Sequence, residues 1–466
     1  MSDETGPEAI PRLSAANTAA ILVAAAQAPL GSTLIAVALP SIGTGTGTDL
    51  VLITGLLVTG YLVVNVICQG PAGKISDVVG HARVLWAGMG FYLVGAVCGV
   101  VAQGAALLFL SRCCMAAGGA CLVPATLALL RLHVPHARRG RVFGLFAATM
   151  GVAAAGGPAL GGEIVSTFGW RAVFLANLPF LGLSAVLLFL RPLPVRAGTR
   201  RDSLRTLATG LDYGGIGLLG LALALLVLAS KLSGALLVAT LIGALLIGIG
   251  FLYWEIRATD PILDARLFRR PAFAAGTLII ALQNFAMYGL LFQVPQFFSV
   301  FRDAAPREIG YLLFVMMIGM VVAGPIGGQL TDRIGAQRAA QAGAVLLLAG
   351  MAQLWALGGF DGPSAAFPAL LVFGLGLGLG NAPAQSASMG AVDPHEAGMA
   401  ASVSATMRYL GAIASIVVLG VVLGNDETVS IARHVVMVWL FTAAITLSAL
   451  MTLRLPGRFH LEGRGA

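Results

Sequence analysis

Charged side chains are scarce in this 466-residue chain, where Asp, Glu, Lys and Arg together make up 10%. The few that fall inside long apolar runs are therefore the ones whose chemistry needs a reason. Arg112 stands about six residues inside one run and Arg408 about nine residues inside another. Glu163 is the one acid clearly within a run. A guanidinium at that depth is costly to bury and normally faces a polar cavity or a partner. Arg112 is close enough to an end to snorkel to water; Arg408 is not, and is expected to be buried and paired in a structural role. No metal chemistry is expected. Cys68, Cys98, Cys113, Cys114 and Cys121 lie in apolar runs without ligand spacing, and the six histidines are scattered. His133 and His136 read as a solvated turn in a basic loop. FGLGLGLGN at 373–381 lacks GxGxxG and a preceding strand, so it is a flexible helix ending at Asn381 and Pro383 rather than a nucleotide loop.

A second constellation is a repeat. GKISDVVGHAR begins at 73 and GQLTDRIGAQR at 328, placing Gly73, Asp77, Gly80 and Arg83 at the same offsets as Gly328, Asp332, Gly335 and Arg338. Either copy alone is an ordinary capped turn. Recurrence at equivalent places points to a duplicated gating element. In it a glycine lets two helices approach, and an aspartate is held by a helix N-terminus.

These residues need membrane helices to position them. The chain is 58% hydrophobic with a mean hydropathy of +0.92, far from a soluble domain, and its apolar runs are continuous rather than alternating. Fourteen spans are expected at 17–40, 50–71, 84–104, 106–130, 142–165, 171–190, 212–230, 234–254, 272–298, 308–327, 339–357, 365–387, 399–422 and 434–453. The turn between the third and fourth rests on Gln103 and Gly104 alone. With both termini cytoplasmic, nearly all Lys and Arg fall on the cytoplasmic side, from Arg12, Lys74 and Arg83 to Arg454, Arg458 and Arg464. Only Arg171, Lys231, Arg302, Arg307 and Arg433 lie opposite. The net charge of +8 is thus a topology signal and not a nucleic-acid footprint. The first residues are acidic and polar without a basic signal region, so the first run is expected to be retained.

The organisation that follows is a cytoplasmic tail at 1–16, six spans over 17–190, a linker at 191–211 and an inserted helix pair at 212–254. A cytoplasmic loop at 255–271, six spans over 272–453 and a tail at 454–466 complete it. Each repeat motif lies between the second and third span of its half.

On these residues the chain resembles the major facilitator superfamily, specifically its fourteen-helix drug:proton antiporter branch. The two loops, with Arg333 after the second aspartate, look like the family's signature loop. Arg112 followed by Pro124 is similar to the branch's membrane arginine motif, although Met115 and Ala116 replace its usual Gln and Gly. GVAAAGGPALGGE, carrying Gly151, Gly156, Gly157, Pro158, Gly161 and Gly162, is similar to the antiporter motif. GWRAVFLANLP at 169–179, LDYGG at 211–215, Glu255 with LFRRP at 267–271, and MRYLG at 407–411 match weaker hallmarks. The resemblance implies an all-α polytopic membrane protein of two six-helix bundles plus two inserted helices, working as a monomer without a cofactor. It also implies that Asp77 braces the halves on the cytoplasmic face when the outside is open. Arg112, Glu163 and Arg408 are the coupling candidates.

The first and fourth helices of each half line the pocket in that architecture. They offer Gln27, Ser32, Thr33, Arg112, Gln283, Asn284, Gln293, Asn381 and Gln385, with Phe285, Tyr288 and Phe292 able to hold flat apolar ligands. One departure matters. Gly31 and Ala36 stand where the branch usually has an acid and an Asn in the first span. Proton coupling then falls to Glu163, with Asp77 and Asp332 as gating alternatives. Lacking a mid-membrane acid, neutral or anionic amphiphiles are favoured over strictly cationic substrates.

The expected function is proton-coupled export of small amphiphilic compounds such as antibiotics, across the cytoplasmic membrane and by alternating access. An uncoupled facilitator or sensor is the first alternative. A lipid-modifying membrane enzyme is the remote one, since no acids or histidines cluster at an interface.

Overall fold

The computed structural model describes residues 13–134, 136–193, 212–229, 232, 234–258, 261, 263–392, 397–423 and 430–457. The expected linker beyond residue 193 and the tails at 1–12 and 458–466 lie outside the described residues, as do the side chains of Lys74, Asp77, Arg131, Arg138, Arg139 and Arg141. The described residues contain helices and no strand.

In the first half, α1 covers Ala15–Thr46, and α2 comprises Leu50–Thr54, a π-helical turn at Gly55–Thr59, and Gly60–Val79. Then come α3 (His81–Val101), α4 (Ala105–His133), α5 (His136–Phe168), and α6, broken into Ala172–Leu175 and Leu178–Leu190. The inserted pair is α7 (Tyr213–Ala229) and α8 (Gly234–Arg257). The second half holds α9 (Pro271–Arg302), α10 (Pro306–Ile334), α11 (Ala336–Leu354), α12 (Phe367–Gly390), α13 (Ala397–Leu423) and α14 (Ile431–Met451). Among the described residues eleven helices are long and apolar enough to cross a bilayer, and α7 is a shorter apolar helix of 17 residues.

Local chemistry explains the ends. The Ser14 hydroxyl accepts from the Asn17 amide and caps α1, while Gly47 closes it at φ +63°. The turn at 102–104 separates α3 from α4 where Gln103 and Gly104 placed it. Three expectations change. His133 and His136 are not in a loop: the first ends α4 and the second begins α5, so the basic segment after it forms helical turns, for which arginine has good propensity. The sixth span breaks at 176–177, ahead of Pro179, which is suited to a helix's first turn. Most clearly, α12 does not end at Asn381 and Pro383 but runs on to Gly390. A membrane helix tolerates such a proline when its neighbours pack close.

That close packing comes from the glycine run itself. Gly374 and Gly378 face α10, where a Cβ would collide with the carbonyls of Met316 and Met320. Gly376 faces α11, 2.6 Å from the Leu347 nitrogen and 2.9 Å from the Gly343 carbonyl, measured from an ideal Cβ. Alternate glycines thus serve opposite faces, and α12 is gripped between two backbones rather than left flexible.

Within the first half α1 packs on α5 and α6, and α4 on α2 and α3; within the second α9 packs on α12, α13 and α14. The halves meet through α1 with α9, α5 with α10, and α2 with α13. α1 and α9 are the most enclosed spans, 89% and 78% buried, so the centre of the molecule lies along them. α7 rests on α2, with Gly220 against Ile67, and touches α13. α8 is 11% buried and turns Leu236, Leu245 and Leu246 outward, the surface a helix presents to lipid.

Candidate functional site

The centre begins with Arg112, which is 1% exposed and has not snorkelled. α4 carries it against α1 and α2. Its Nε donates to the Leu57 carbonyl at 3.0 Å and its Nη1 to the Gly31 carbonyl at 3.2 Å, while the guanidinium lies 4.2 Å above the Tyr61 ring. Leu57 belongs to the π-helical turn of α2, a local departure that re-aims backbone carbonyls and recurs at functional sites. Gly31 is needed for a different reason. The Tyr92 hydroxyl fills the place a side chain there would take, and donates to the Gln27 carbonyl at 2.7 Å. The position without an acid therefore contributes a bare backbone carbonyl to Arg112. Its Nη2 has no hydrogen-bond partner among the described residues.

From Arg112 the polar array continues across the interface between the halves. Tyr61 is electrostatically coupled to Tyr92, Arg112 and Tyr288, and Tyr409 to Tyr288, Tyr61 and Arg408. Ser32 of α1 neighbours Tyr288 of α9 across that interface. Arg408, half-buried on α13, donates through Nη2 to the Gln385 Oε1 of α12 at 3.4 Å, and its Nε has no partner. Two guanidiniums and four phenols thus lie within electrostatic reach of one another in the middle of the molecule, Arg112, Tyr61 and Tyr92 enclosed and Tyr288, Gln385, Arg408 and Tyr409 half-buried around what is called the chamber below. Among the described residues no carboxylate pairs with either arginine.

Several expected lining residues point elsewhere. Thr33 back-bonds to the Pro29 carbonyl and packs against Gly157 of α5. Asn284 donates to the Ile280 carbonyl of its own helix, and Gln293 donates to the His434 carbonyl of α14 at 2.7 Å. Gln283 packs on Gly380 of α12, and Asn381 is half-buried. Ser32, Tyr288 and Gln385 are the ones brought together around Arg408. Tyr61, Tyr92 and Tyr409 were missed as lining. Their signal was scarcity: the chain has seven tyrosines, and these lie in apolar runs where a phenol needs a partner.

The antiporter-like glycines form a seam instead of a pocket. Gly157 and Gly161 admit α1, with Leu34 backbone 2.7 Å from an ideal Cβ on Gly161. Gly151 faces Val321, and Gly162 meets Gly310 backbone to backbone, each ideal Cβ only 3.0–3.1 Å from the other's Cα. This closes the C-terminal end of α5 onto the N-terminal end of α10, the end expected to face outward. Beside it the Arg307 Nη2 donates to Glu163 Oε1 at 2.6 Å, and the Arg307 amide donates to the Ser166 hydroxyl at 3.1 Å. Further along the same end, Gln296 of α9 reaches Thr54 of α2 at 3.4 Å.

The two signature loops repeat in backbone geometry. Gly80 ends α2 at φ +106°, ψ +132° and Gly335 ends α10 at φ +90°, ψ +157°. Their amides donate to Ser76 and Thr331 at 3.0 and 2.9 Å. Only glycine holds that conformation without strain. The expected close helix approach at Gly73 and Gly328 is not found, since no described atom lies within 4 Å of an ideal Cβ on either. Asp332, Arg333, Arg338 and Arg83 are exposed, and Arg83 donates to the Val79 carbonyl. In the inserted hairpin, the LDYGG segment and Glu255 come together. Asp212 accepts from the Gly215 amide and the Trp254 indole, while buried Glu255 accepts from the Leu263 amide.

Comparisons with known proteins agree with this architecture. The family model described as Major Facilitator Superfamily matches residues 21–416. The MFS-type transporter YvkA of Bacillus subtilis is 30% identical over 432 residues, 91% of this chain and 94% of its own. The tetracenomycin C resistance and export protein of Streptomyces glaucescens is 29% identical, covering 87% and 75%. The riboflavin transporter RibZ of Clostridioides difficile is 28% identical over 76% of each chain. Among solved structures, a D-xylose-proton symporter superposes with a TM-score of 0.67 at 13% identity, covering 94% of this chain and 98% of that one, a likeness of fold alone. With fourteen helices in this arrangement and a family match across most of its length, the chain is a multi-pass membrane protein belonging to the Major Facilitator Superfamily of transporters.

Proposed function

We propose that this protein exports small amphiphilic compounds across the cytoplasmic membrane by alternating access, coupled to proton entry, as a monomer with both termini cytoplasmic. The observation that carries the reading is the outer seal. α5 and α10 come from different halves, and they meet through glycine backbones and one ion pair. Such a contact is tight enough to close and cheap to open. Glu163 and Arg307 are 46% and 51% exposed, so their pairing contributes about 1 kcal/mol or less. Parting the pair therefore costs little and frees the seam, and Glu163 is the carboxylate assigned to carrying the proton. The named export function of the tetracenomycin relative supports the outward direction.

A second reading is an uncoupled facilitator, favoured by the lack of a carboxylate at the chamber's arginines among the described residues. One experiment separates them: dye flux in inverted vesicles, with and without a pH gradient, for the wild type and Glu163→Gln. The proposal expects gradient-stimulated flux, reduced at least about tenfold in Glu163→Gln. Flux indifferent to the gradient for every transported dye would sink proton coupling and leave transport standing.

A further inference from the structure

The central chamber carries positive charge with no answering negative one among the described residues. Arg112 and Arg408 approach it from opposite halves, and each keeps one N–H group without a partner: Nη2 of Arg112 and Nε of Arg408. The electrostatic neighbours of Arg112 are Tyr61, Tyr92 and Cys113, all neutral. Glu163 lies at the outer seal, while Asp212 and Glu255 are engaged in the hairpin. Burying an uncompensated cation is expensive, and leaving its donors unmade adds to the cost. The amide oxygens of Gln27, Asn65 and Gln283 are also without donors, but an amide can turn over to offer either polarity. A guanidinium cannot. Its five N–H groups are donors at every accessible pH.

We infer that this chamber is an organic-anion site, in which a carboxylate- or sulfonate-type head meets Arg408 and a flat apolar body lies against the half-buried Tyr288 and Tyr409. The inference rests on the transporter reading above and narrows its substrate class. Arg408 is the docking group. It is half-buried and held at one nitrogen by the Gln385 amide, and its Nε is a buried donor without a partner among the described residues, which a bound carboxylate would satisfy. Arg112 is fully enclosed and fixed by two carbonyls, so it supplies background potential more than contact. The Tyr61 and Tyr92 hydroxyls already donate to the Ala28 and Gln27 carbonyls, so the phenols that stack against a flat ring and donate to an anion are those of Tyr288 and Tyr409. A cationic drug would find two like charges in the same low-dielectric space. Gly31 completes the logic, because the α1 position that would bring an acid beside Arg112 has no side chain, and the Tyr92 hydroxyl occupies its room.

The test is binding to the purified full-length protein in detergent, read as the shift of its thermal midpoint by three probes sharing one ring system. These are 2-naphthoate, 2-naphthamide and 2-naphthylmethylammonium, each titrated to about 10 mM. Naphthoate alone should give a saturable rise. Arg408→Gln should weaken it at least about tenfold, and Arg408→Lys should retain part of it. Gln385→Glu keeps Arg408 in place but hands it a carboxylate of nearly the same shape, and should weaken naphthoate to the same degree. That second variant decides the matter if Arg408→Gln fails to fold. The inference is overturned if naphthoate gives no shift, if the amide or the ammonium binds as tightly, or if Gln385→Glu binds naphthoate like the wild type. Naphthoate binding without any dye flux in vesicles would keep the anion site and remove the transporter reading. Flux of cationic dyes without naphthoate binding would do the reverse.

Discussion

Arg112 has no carboxylate partner among the described residues, and this decides what its removal should do. Breaking a buried ion pair strands a charge, but deleting a guanidinium that has no anion beside it relieves one. Arg112→Met is therefore expected to keep the thermal midpoint of the purified protein within a few degrees, or to raise it, while flux falls at least about tenfold. A midpoint lowered by about 10 °C or more would show instead that Arg112 is chiefly a strut. Much of this was legible residue by residue: an arginine at membrane depth announces a polar surround, and the missing acid at Gly31 was visible by its absence. The identity of the surround was not. Tyr61, Tyr92, Tyr288 and Tyr409 come within electrostatic reach of one another only through the tertiary fold, and no local pattern encodes that. Gln293 misled for the same reason, since only the fold places His434 against it.

At the scale of helices, glycine has opposite meanings in two places. Gly374 is pressed against the Met316 carbonyl of α10, whereas Gly328 faces open space. Gly374→Ala should force α12 off α10 and destabilise by about 1–3 kcal/mol, as overpacking does. Gly328→Ala should be neutral or stabilising by up to about 1 kcal/mol, because alanine is the better helix former. Thermal unfolding of the two variants side by side measures the contrast; equal losses would mean that the close contacts on α12 are not what holds it. If Gly328 is used when the cytoplasmic ends close, its alanine variant should still transport more slowly despite its stability. The repeated loops were readable in detail because a glycine at positive φ leaves a fixed mark in sequence, and Gly80 and Gly335 carry it. The fate of FGLGLGLGN was not readable. Glycine lowers intrinsic helix propensity, and only two flanking backbones convert that weakness into tight packing.

For the whole molecule, the arrangement couples one seal to one chamber. Helices from both halves close the outer end at Gly162, Gly310, Glu163, Arg307 and Ser166, while the arginine–tyrosine chamber lies along α1 and α9 beneath it. Alternating access requires that this seam part in every cycle. The inserted α7–α8 pair rests on the helices of the two halves mainly through α7 and shows its apolar face outward, so it need not move with the seal. The most direct measurement is a reversible lock. Ser166→Cys with Arg307→Cys joins α5 to α10 where the serine hydroxyl and the arginine amide are 3.1 Å apart, close enough for a disulfide after side-chain adjustment. Oxidation of the double variant should stop dye flux and reduction should restore it, with both single variants unaffected by oxidant. Full flux through the oxidised, cross-linked protein would contradict the account, because the outer seam would then be a fixed wall and not a gate.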